Sequence, residues 1–115
     1  MEYLMWLLKQ GCYLGMDRYP GYSYQEVTPL IRTQTMKALI DAGYTNRICP
    51  SHDHTLVRVA AANPEITPEE RLKRLPHEYL YVKRVVFPQL REMGVSEETL
   101  NRLCNVAPRN FFEGV

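Results

Sequence analysis

The feature that most constrains the fold is a short apolar stretch that ends directly in a cluster of metal-capable side chains. Residues Arg47–Pro50 predict a buried strand, and Ser51, His52, Asp53 and His54 follow at once. Active sites of α/β proteins lie at the carboxyl ends of parallel strands. The octet therefore predicts a strand that delivers a carboxylate to the rim of a parallel sheet. One carboxylate and two histidines rarely make a complete enzyme, so the cluster is only part of a site.

Composition places the chain among ordinary globular proteins and gives no charge pattern for a polyanionic partner. Of its 115 residues, 45% are hydrophobic and 23% charged, and the net charge is +1. Because the basic residues are dispersed, we predict neither nucleic-acid nor membrane binding. Residues 1–10 are too few to span a bilayer and lack signal-peptide features. Cys12, Cys49 and Cys104 form no C-x-x-C pair, so we expect reduced, buried thiols in a cytoplasmic protein.

The apolar pattern predicts alternating helices and strands joined by one crossover. Residues 2–10 predict a helix, and Cys12–Met16 predicts a buried parallel strand. Thr28 and Pro29 predict the start of a second helix. The predicted apolar face of this helix comprises Ile31, Thr35, Ala38, Leu39 and Ala42. A strand, a helix and the strand at Arg47–Pro50 then form a right-handed crossover, which makes the two strands adjacent and parallel.

The rest of the chain predicts connections and short helices and no third strand. Thr67–Glu70 is a capping box that opens a short helix. Residues 79–93 predict a helix that Pro88 kinks or restarts. Residues 96–103 predict a further short helix, and residues 108–112 a terminal helical turn whose two phenylalanines pack into the core. Two strands cannot bury both faces of a parallel sheet, so we predict a slice of a larger closed sheet.

Charged and aromatic residues follow the first predicted strand. Asp17 and Arg18 stand at its carboxyl end, where they form either an ion pair or part of a site. The next segment carries Tyr19, Tyr22 and Tyr24 around a Pro-Gly turn. Three tyrosines suit the wall of a pocket, and they equally suit a cover over apolar surface without any ligand.

Several linked motifs resemble the phosphotriesterase family of the amidohydrolase superfamily. The resemblance is carried by residues 14–18, 33–44, 51–53, 87–95 and 108–112, and it covers essentially the whole chain. Members of this family are binuclear metal-dependent (β/α)8-barrel hydrolases that act on phosphotriesters, lactones and related esters. The resemblance therefore implies that residues 1–115 are a single α/β segment. This segment would be a C-terminal slice of a TIM barrel, formed by the last two β/α units and the closing helices.

The resemblance also implies roles for individual residues. It assigns to Asp53 the strand-eight position, whose carboxylate ligates a divalent metal, most commonly zinc, and handles the proton of the attacking hydroxide. Arg18 matches a position where arginine favours a lactone or carboxylic ester. Because side chains alternate along a strand, His52 is expected to pack behind the sheet. The expected substrate-binding residues are Asp17, Arg18, Tyr19, Tyr22 and His54.

The family's other metal ligands have no counterpart here, because the strands that carry them are absent from the sequence. We therefore expect Asp53 to bind no metal tightly in this chain alone, and the chain to be a hydrolase segment that is inactive by itself. The alternative is a non-catalytic assembly unit that self-associates or docks with the missing barrel portion. A third hypothesis is a divergent small protein whose Ser51–His54 cluster binds one metal weakly.

Overall fold

Two short parallel strands form the centre of the fold. In this computed structural model, which describes residues 1–20, 27–52, 67, 69–70, 73 and 77–115, β1 (Leu14–Met16) and β2 (Ile48–Pro50) pair in parallel, residue by residue. The ladder continues one residue past β2, where the Ser51 amide donates to the Met16 carbonyl at 3.2 Å. The adjacent parallel strands predicted from the crossover are confirmed.

Both strands are shorter than predicted, because the residues before them make other backbone contacts. The Cys12 amide donates to the Leu7 carbonyl at 3.1 Å, and this hydrogen bond belongs to the end of the first helix. Residues Thr45–Arg47 form a 3₁₀ turn that runs directly into β2. Each strand therefore keeps only three residues.

The first helix, α1 (Glu2–Lys9), precedes β1 and buries Leu8. Gly11 lies in the turn that ends this helix, and its φ of +86° is in the left-handed region that glycine adopts without a Cβ clash. Among the residues described, no helix is long and apolar enough to cross a membrane.

The crossover helix, α2 (Pro29–Asp41), begins where the sequence predicts. The Thr28 hydroxyl accepts the Ile31 amide at 3.2 Å, which satisfies one of the unpaired donors of the first turn. The predicted apolar face is right only at Leu39, since Ile31 is 42% exposed and Ala38 and Ala42 are also exposed. The buried residues are Thr33, Met36 and Leu39. Apolar residues occur on several sides of this helix, so spacing alone does not identify the buried side.

A π-helical segment at Val82–Val86 leads into α3 (Phe87–Glu92), after a 3₁₀ turn at residues 78–80. The Phe87 amide donates to the carbonyl of Val82, five residues earlier. Pro88 has no amide hydrogen and occupies the first turn of α3. Of the two predicted alternatives, a kink or a new first turn at Pro88, the position of the proline agrees with the second.

The last helix, α4 (Glu97–Glu113), is continuous where the sequence predicted two separate elements. It begins at Ser96, whose hydroxyl accepts the Thr99 amide at 3.2 Å, and it runs through Pro108. Its buried residues are Leu100, Leu103 and Ala107. They form one stripe at helical spacing, and we attribute the continuity of the helix to burial of this stripe.

The prediction that the terminal phenylalanines pack into the core is wrong. Phe111 is 56% exposed and Phe112 is 84% exposed. Phe111 contacts the ring of Tyr13 edge-on, with the ring centroids 5.5 Å apart. The Tyr13 ring also lies 4.9 Å from the Arg47 guanidinium, so these aromatic groups form a partly exposed cluster.

The predicted capping box is confirmed. The Thr67 amide donates to a Glu70 carboxylate oxygen at 3.1 Å, and the Glu70 amide donates to the Thr67 hydroxyl at 3.2 Å. Each side chain therefore satisfies a backbone donor of the other residue.

The three cysteines are free, but the prediction that they are buried is wrong. Cys12 and Cys104 are exposed, and Cys49 is partly buried. Cys12 lies in the turn after α1 rather than in β1, and Cys104 lies on α4 next to the buried Leu103.

The helices cover one face of the sheet. Leu14 and Ile48, opposite each other on the two strands, are buried in the core. Side chains alternate along a strand, so Gly15 and Cys49 face the other side. Gly15 is exposed, and a Cβ added to it would meet no atom within 4 Å. This second face of the sheet is therefore open at its centre within the described part of the chain.

Candidate functional site

Backbone hydrogen bonds join the carboxyl ends of the two strands. The Tyr19 amide donates to the Ser51 carbonyl at 3.3 Å. Arg18 has a φ of +63°, a left-handed conformation that turns the chain sharply just before this bond. Asp17 and Arg18 thus lie at the rim of the sheet, where the sequence predicts them.

Arg32 on α2 holds this bend in place. Its Nη1 donates to the Arg18 carbonyl at 2.6 Å and lies 3.5 Å from the Asp17 carbonyl. A charged donor makes a stronger hydrogen bond than a neutral one. The sequence pattern does not single out Arg32. Its position in the first turn of the helix that follows the rim is the signal that could have identified it.

Asp17 and Arg18 form the ion pair that the sequence allowed. The Arg18 Nε lies 3.8 Å from Asp17 Oδ2, and the two side chains are 62% and 51% exposed. An exposed pair of this kind contributes little to stability. Both charged groups therefore remain accessible to a ligand at the rim.

Tyr19 lies inside the core rather than at the surface. It is 1% exposed, and its ring stacks on Tyr81 with the centroids 6.3 Å apart. Burial raises the pKa of the Tyr19 phenol, and the nearby Thr33 hydroxyl and Arg32 guanidinium oppose this shift. Although Thr33 is close, its hydroxyl donates to the Pro29 carbonyl at 2.9 Å, and the Tyr19 hydroxyl has no hydrogen-bond partner of good geometry among the described residues. Substrate contact by Tyr19 stays a prediction.

His52 packs against the helical segment that follows the second strand. Its Nε2 accepts the Val82 amide at 3.0 Å, and its ring meets Tyr79 edge-on at 6.4 Å between centroids. The ring is half-buried. The expected position of His52 behind the sheet is thereby confirmed.

A groove of approximately 480 Å³ opens beside β2 and the C-terminal helices. Its lining combines apolar, aromatic and charged residues. They include Pro50, His52, Val82, Lys83, Phe87 and Leu100. At one side of the groove Arg91 forms an ion pair with Glu97, and this contact lowers the pKa of the Glu97 carboxyl.

The proposed metal ligand Asp53 lies outside the described residues, as do Tyr22 and His54. Their roles stay predictions. Within the ranges that the structure describes, no three His, Cys, Asp or Glu side chains come together as a group able to hold a metal ion.

Comparison with known proteins confirms the resemblance carried by the sequence motifs. The family model described as "Phosphotriesterase family" matches residues 1–112. The phosphotriesterase homology protein of Mycobacterium tuberculosis is 30% identical over 114 residues, which cover 96% of this chain and 32% of that protein. The aryldialkylphosphatase of Saccharolobus solfataricus is 28% identical over 114 residues, covering 97% of this chain and 34% of that protein.

A solved structure agrees with these relatives. The phosphotriesterase from Mycobacterium tuberculosis matches with a TM-score of 0.74 at 27% sequence identity, over 98% of this chain and 33% of that one. The chain thus spans about a third of the length of the relatives it matches. Since the family model covers nearly every residue, the chain belongs to the phosphotriesterase family.

Proposed function

We propose that this chain is a segment of a phosphotriesterase-like, metal-dependent hydrolase, that it supplies the ligand Asp53, and that it is inactive alone. In this proposal β1 and β2 are the last two strands of a (β/α)8 barrel. The observation that supports it most is the face of the sheet that the described residues leave open at Gly15. Parallel sheets are normally covered on both faces, so an uncovered one indicates that further structure belongs there.

Alternation along the strands puts the proposed site on this open face. Gly15 faces open space, and Asp17 lies two residues later on the same side. On the second strand His52 packs against the helices. Its neighbours Ser51 and Asp53 would then face the open side. The carboxylates of Asp17 and Asp53 would lie at one rim, the usual place of a barrel active site.

The donor set of this chain fits only part of a metal site. Asp53 would be one ligand of a divalent metal, zinc in this proposal, which when bound acidifies water for attack on an ester. A catalytic zinc site needs about three protein ligands. The described residues bring no such group together, so the other ligands would come from other strands. We therefore derive no catalytic step for the chain alone.

The substrate in this proposal is a small neutral ester. The names of the relatives point to phosphotriesters, whereas arginine at position 18 favours a lactone or carboxylic ester. Arg18 would act by placing its guanidinium near a carbonyl or phosphoryl oxygen at the rim, where its side chain is 62% exposed.

A complementation experiment tests the proposal. The purified chain is mixed with a phosphotriesterase that lacks its last two β/α units, and hydrolysis of an aryl phosphotriester and of a lactone is measured together with bound zinc. We expect neither component to be active alone and the mixture to be active. Asp53→Asn should abolish this activity. Glu92→Gln, the matching change at an exposed site on α3, should leave it unchanged.

Two outcomes would contradict parts of the proposal. Hydrolysis by the chain alone, lost in Asp53→Asn, would show that it is not inactive by itself. A mixture that associates but stays inactive would favour the alternative function, a non-catalytic assembly unit.

A further inference from the structure

The peptide unit between Arg18 and Tyr19 is held from both sides at the rim of the sheet. Its N–H group donates to the Ser51 carbonyl at 3.3 Å. Its carbonyl accepts a hydrogen bond from Arg32 Nη1 at 2.6 Å. We propose that Arg32 is a positioning residue of the proposed site, which fixes this peptide unit and thereby the place of the Arg18 guanidinium. The inference rests on the proposed function, because it takes Arg18 to contact the substrate.

Arg18 needs such a contact because its backbone conformation is unfavourable. Its φ of +63° lies in the left-handed region, which residues with a Cβ seldom adopt. A residue keeps this conformation only where the surrounding structure holds it. The backbone angles also set the direction in which the side chain leaves the chain. Relaxation of Arg18 to an extended conformation would therefore move its guanidinium away from its place at the rim.

Arg32 can hold this conformation because it belongs to a regular helix. Its amide donates to the Thr28 carbonyl at 3.1 Å, so its backbone is part of the first hydrogen-bonded turn of α2. Its Nη1 also lies 3.5 Å from the Asp17 carbonyl, next to the carbonyl of Arg18. One charged donor thus reaches two consecutive carbonyls, and a charged donor makes the stronger hydrogen bond. A side chain on a helix is held more precisely than one on a loop.

The other side of the peptide unit is already fixed. The Tyr19 side chain is 1% exposed and stacks on Tyr81, so it cannot follow a movement at the rim. Its amide is bonded to Ser51, which stands two residues before the proposed ligand Asp53. The freedom that remains at the bend therefore lies at Arg18. Arg32 acts at this point and sets the place of Arg18 relative to the strand that supplies the ligand.

The kinetics of the complemented enzyme separate positioning from a purely structural role. With the truncated phosphotriesterase in excess, Arg32→Met should raise KM for a lactone about tenfold and leave kcat within about twofold, because a displaced guanidinium binds the ester less well. A loss of folded chain would instead lower kcat at unchanged KM. Arg32→Lys keeps one charged donor and should give an intermediate KM, which serves as the test if Arg32→Met does not fold.

Lys37→Met is the matched control. It also removes a cation from α2, but Lys37 forms its ion pair with Asp41 near the end of the helix. Both kinetic constants should therefore stay at the values of the wild-type mixture.

A double-mutant cycle tests whether Arg32 acts through Arg18. Arg18→Met removes the guanidinium itself and should raise KM at least as much as Arg32→Met does. In this background Arg32→Met should cause no further change, since the group that it positions is already absent. If Arg32 contacted the substrate directly, its loss would raise KM again in the double variant.

Hydrogen exchange tests the contact independently of activity. It is followed by NMR on the isotopically labelled chain, alone and in the mixture. Exchange of the Tyr19 amide should become about tenfold faster in Arg32→Met, because the peptide unit opens locally more often. Arg18→Met should leave it slow. The amide of Leu103 on α4 reports on overall unfolding and should be unchanged in both variants.

Three results would overturn the inference. These are unchanged exchange at Tyr19 in Arg32→Met, a lower kcat with unchanged KM, or additive effects of the two substitutions. An inactive wild-type mixture would contradict the proposed function, and faster exchange at Tyr19 in Arg32→Met would then still support the positioning of Arg18 by Arg32. An active mixture whose KM does not respond to Arg32→Met would support the proposed function and overturn the inference.

Discussion

The Tyr19 hydroxyl is buried without a hydrogen bond in the described part of the chain. A buried polar group without a partner costs about 1–3 kcal/mol. We therefore predict that Tyr19→Phe raises the free energy of unfolding by about 1 kcal/mol at neutral pH, measured by urea denaturation. Tyr3→Phe, at a residue that is 68% exposed, is the control and should change nothing. A lower stability of Tyr19→Phe would mean that the hydroxyl has a partner.

The same residue makes stability depend on alkaline pH. Burial raises the pKa of the Tyr19 phenol and also that of Tyr81. Above a pH of about 10 the unfolded chain therefore loses phenol protons before the folded chain does, so stability falls as pH rises. Tyr19→Phe should make this fall shallower, as followed by urea midpoints between about pH 8 and 11. Equal slopes in wild type and variant would contradict the raised pKa.

At the scale of the elements, the N-terminal cap of α4 contributes to the free energy of unfolding through one local hydrogen bond. The Ser96 hydroxyl accepts the Thr99 amide. Ser96→Ala removes this acceptor and should lower the free energy of unfolding by about 1 kcal/mol. Ser96→Asp keeps an acceptor and should stay near wild type. An equal loss in both variants would show that the cap is not the cause.

The continuity of α4 can be tested at Pro108. A proline inside a helix cannot donate to the carbonyl four residues earlier, which here belongs to Cys104. Pro108→Ala should restore that bond and raise the free energy of unfolding by about 1–3 kcal/mol. Pro88→Ala, in the first turn of α3, should gain less, because that position tolerates proline. Equal effects of the two changes would argue against a helix that runs through Pro108.

These elements also show what the sequence can predict. The caps at Thr28, Thr67 and Ser96 follow from side chains that act within three residues, and each forms as expected. The strand–helix–strand order follows equally from local patterns. The length of α4 was underestimated because separate elements were predicted at residues 96–103 and 108–112, whereas the buried stripe runs without a break from Leu100 to Ala107.

The candidate site is less predictable because it depends on contacts between distant residues. Asp17 and Arg18 reach the rim as expected, since a strand end places them there. The hydrogen bond from Arg32 to the Arg18 carbonyl joins residues 14 positions apart, and the hydrogen bond from Val82 to His52 joins residues 30 positions apart. The first has one sequence signal, the position of Arg32 in the first helical turn after the rim, and the second has none.

At the scale of the whole molecule, the described residues leave part of the sheet without cover. In the described part of the chain the sheet is one parallel pair of strands, and one of its faces is open at Gly15. Apolar side chains are also exposed on the helices, among them Trp6 at 55%. Burial of such surface against the missing barrel portion or between copies would stabilise the folded chain, so folding and association should be coupled.

Coupled association makes thermal stability depend on chain concentration. For a chain that leaves its assembly as it unfolds, a rise in concentration stabilises the folded state, because mass action favours the assembled form. We predict that the Tm of wild type and of Gly15→Ala rises steadily as the chain is concentrated over about two orders of magnitude, measured by calorimetry. Gly15→Glu puts a carboxylate on the open face and should therefore have a lower Tm that does not change with concentration. A constant Tm for all three proteins would mean that one copy folds without its neighbours, whereas a rising Tm in all three would locate the association on a surface other than the open face at Gly15.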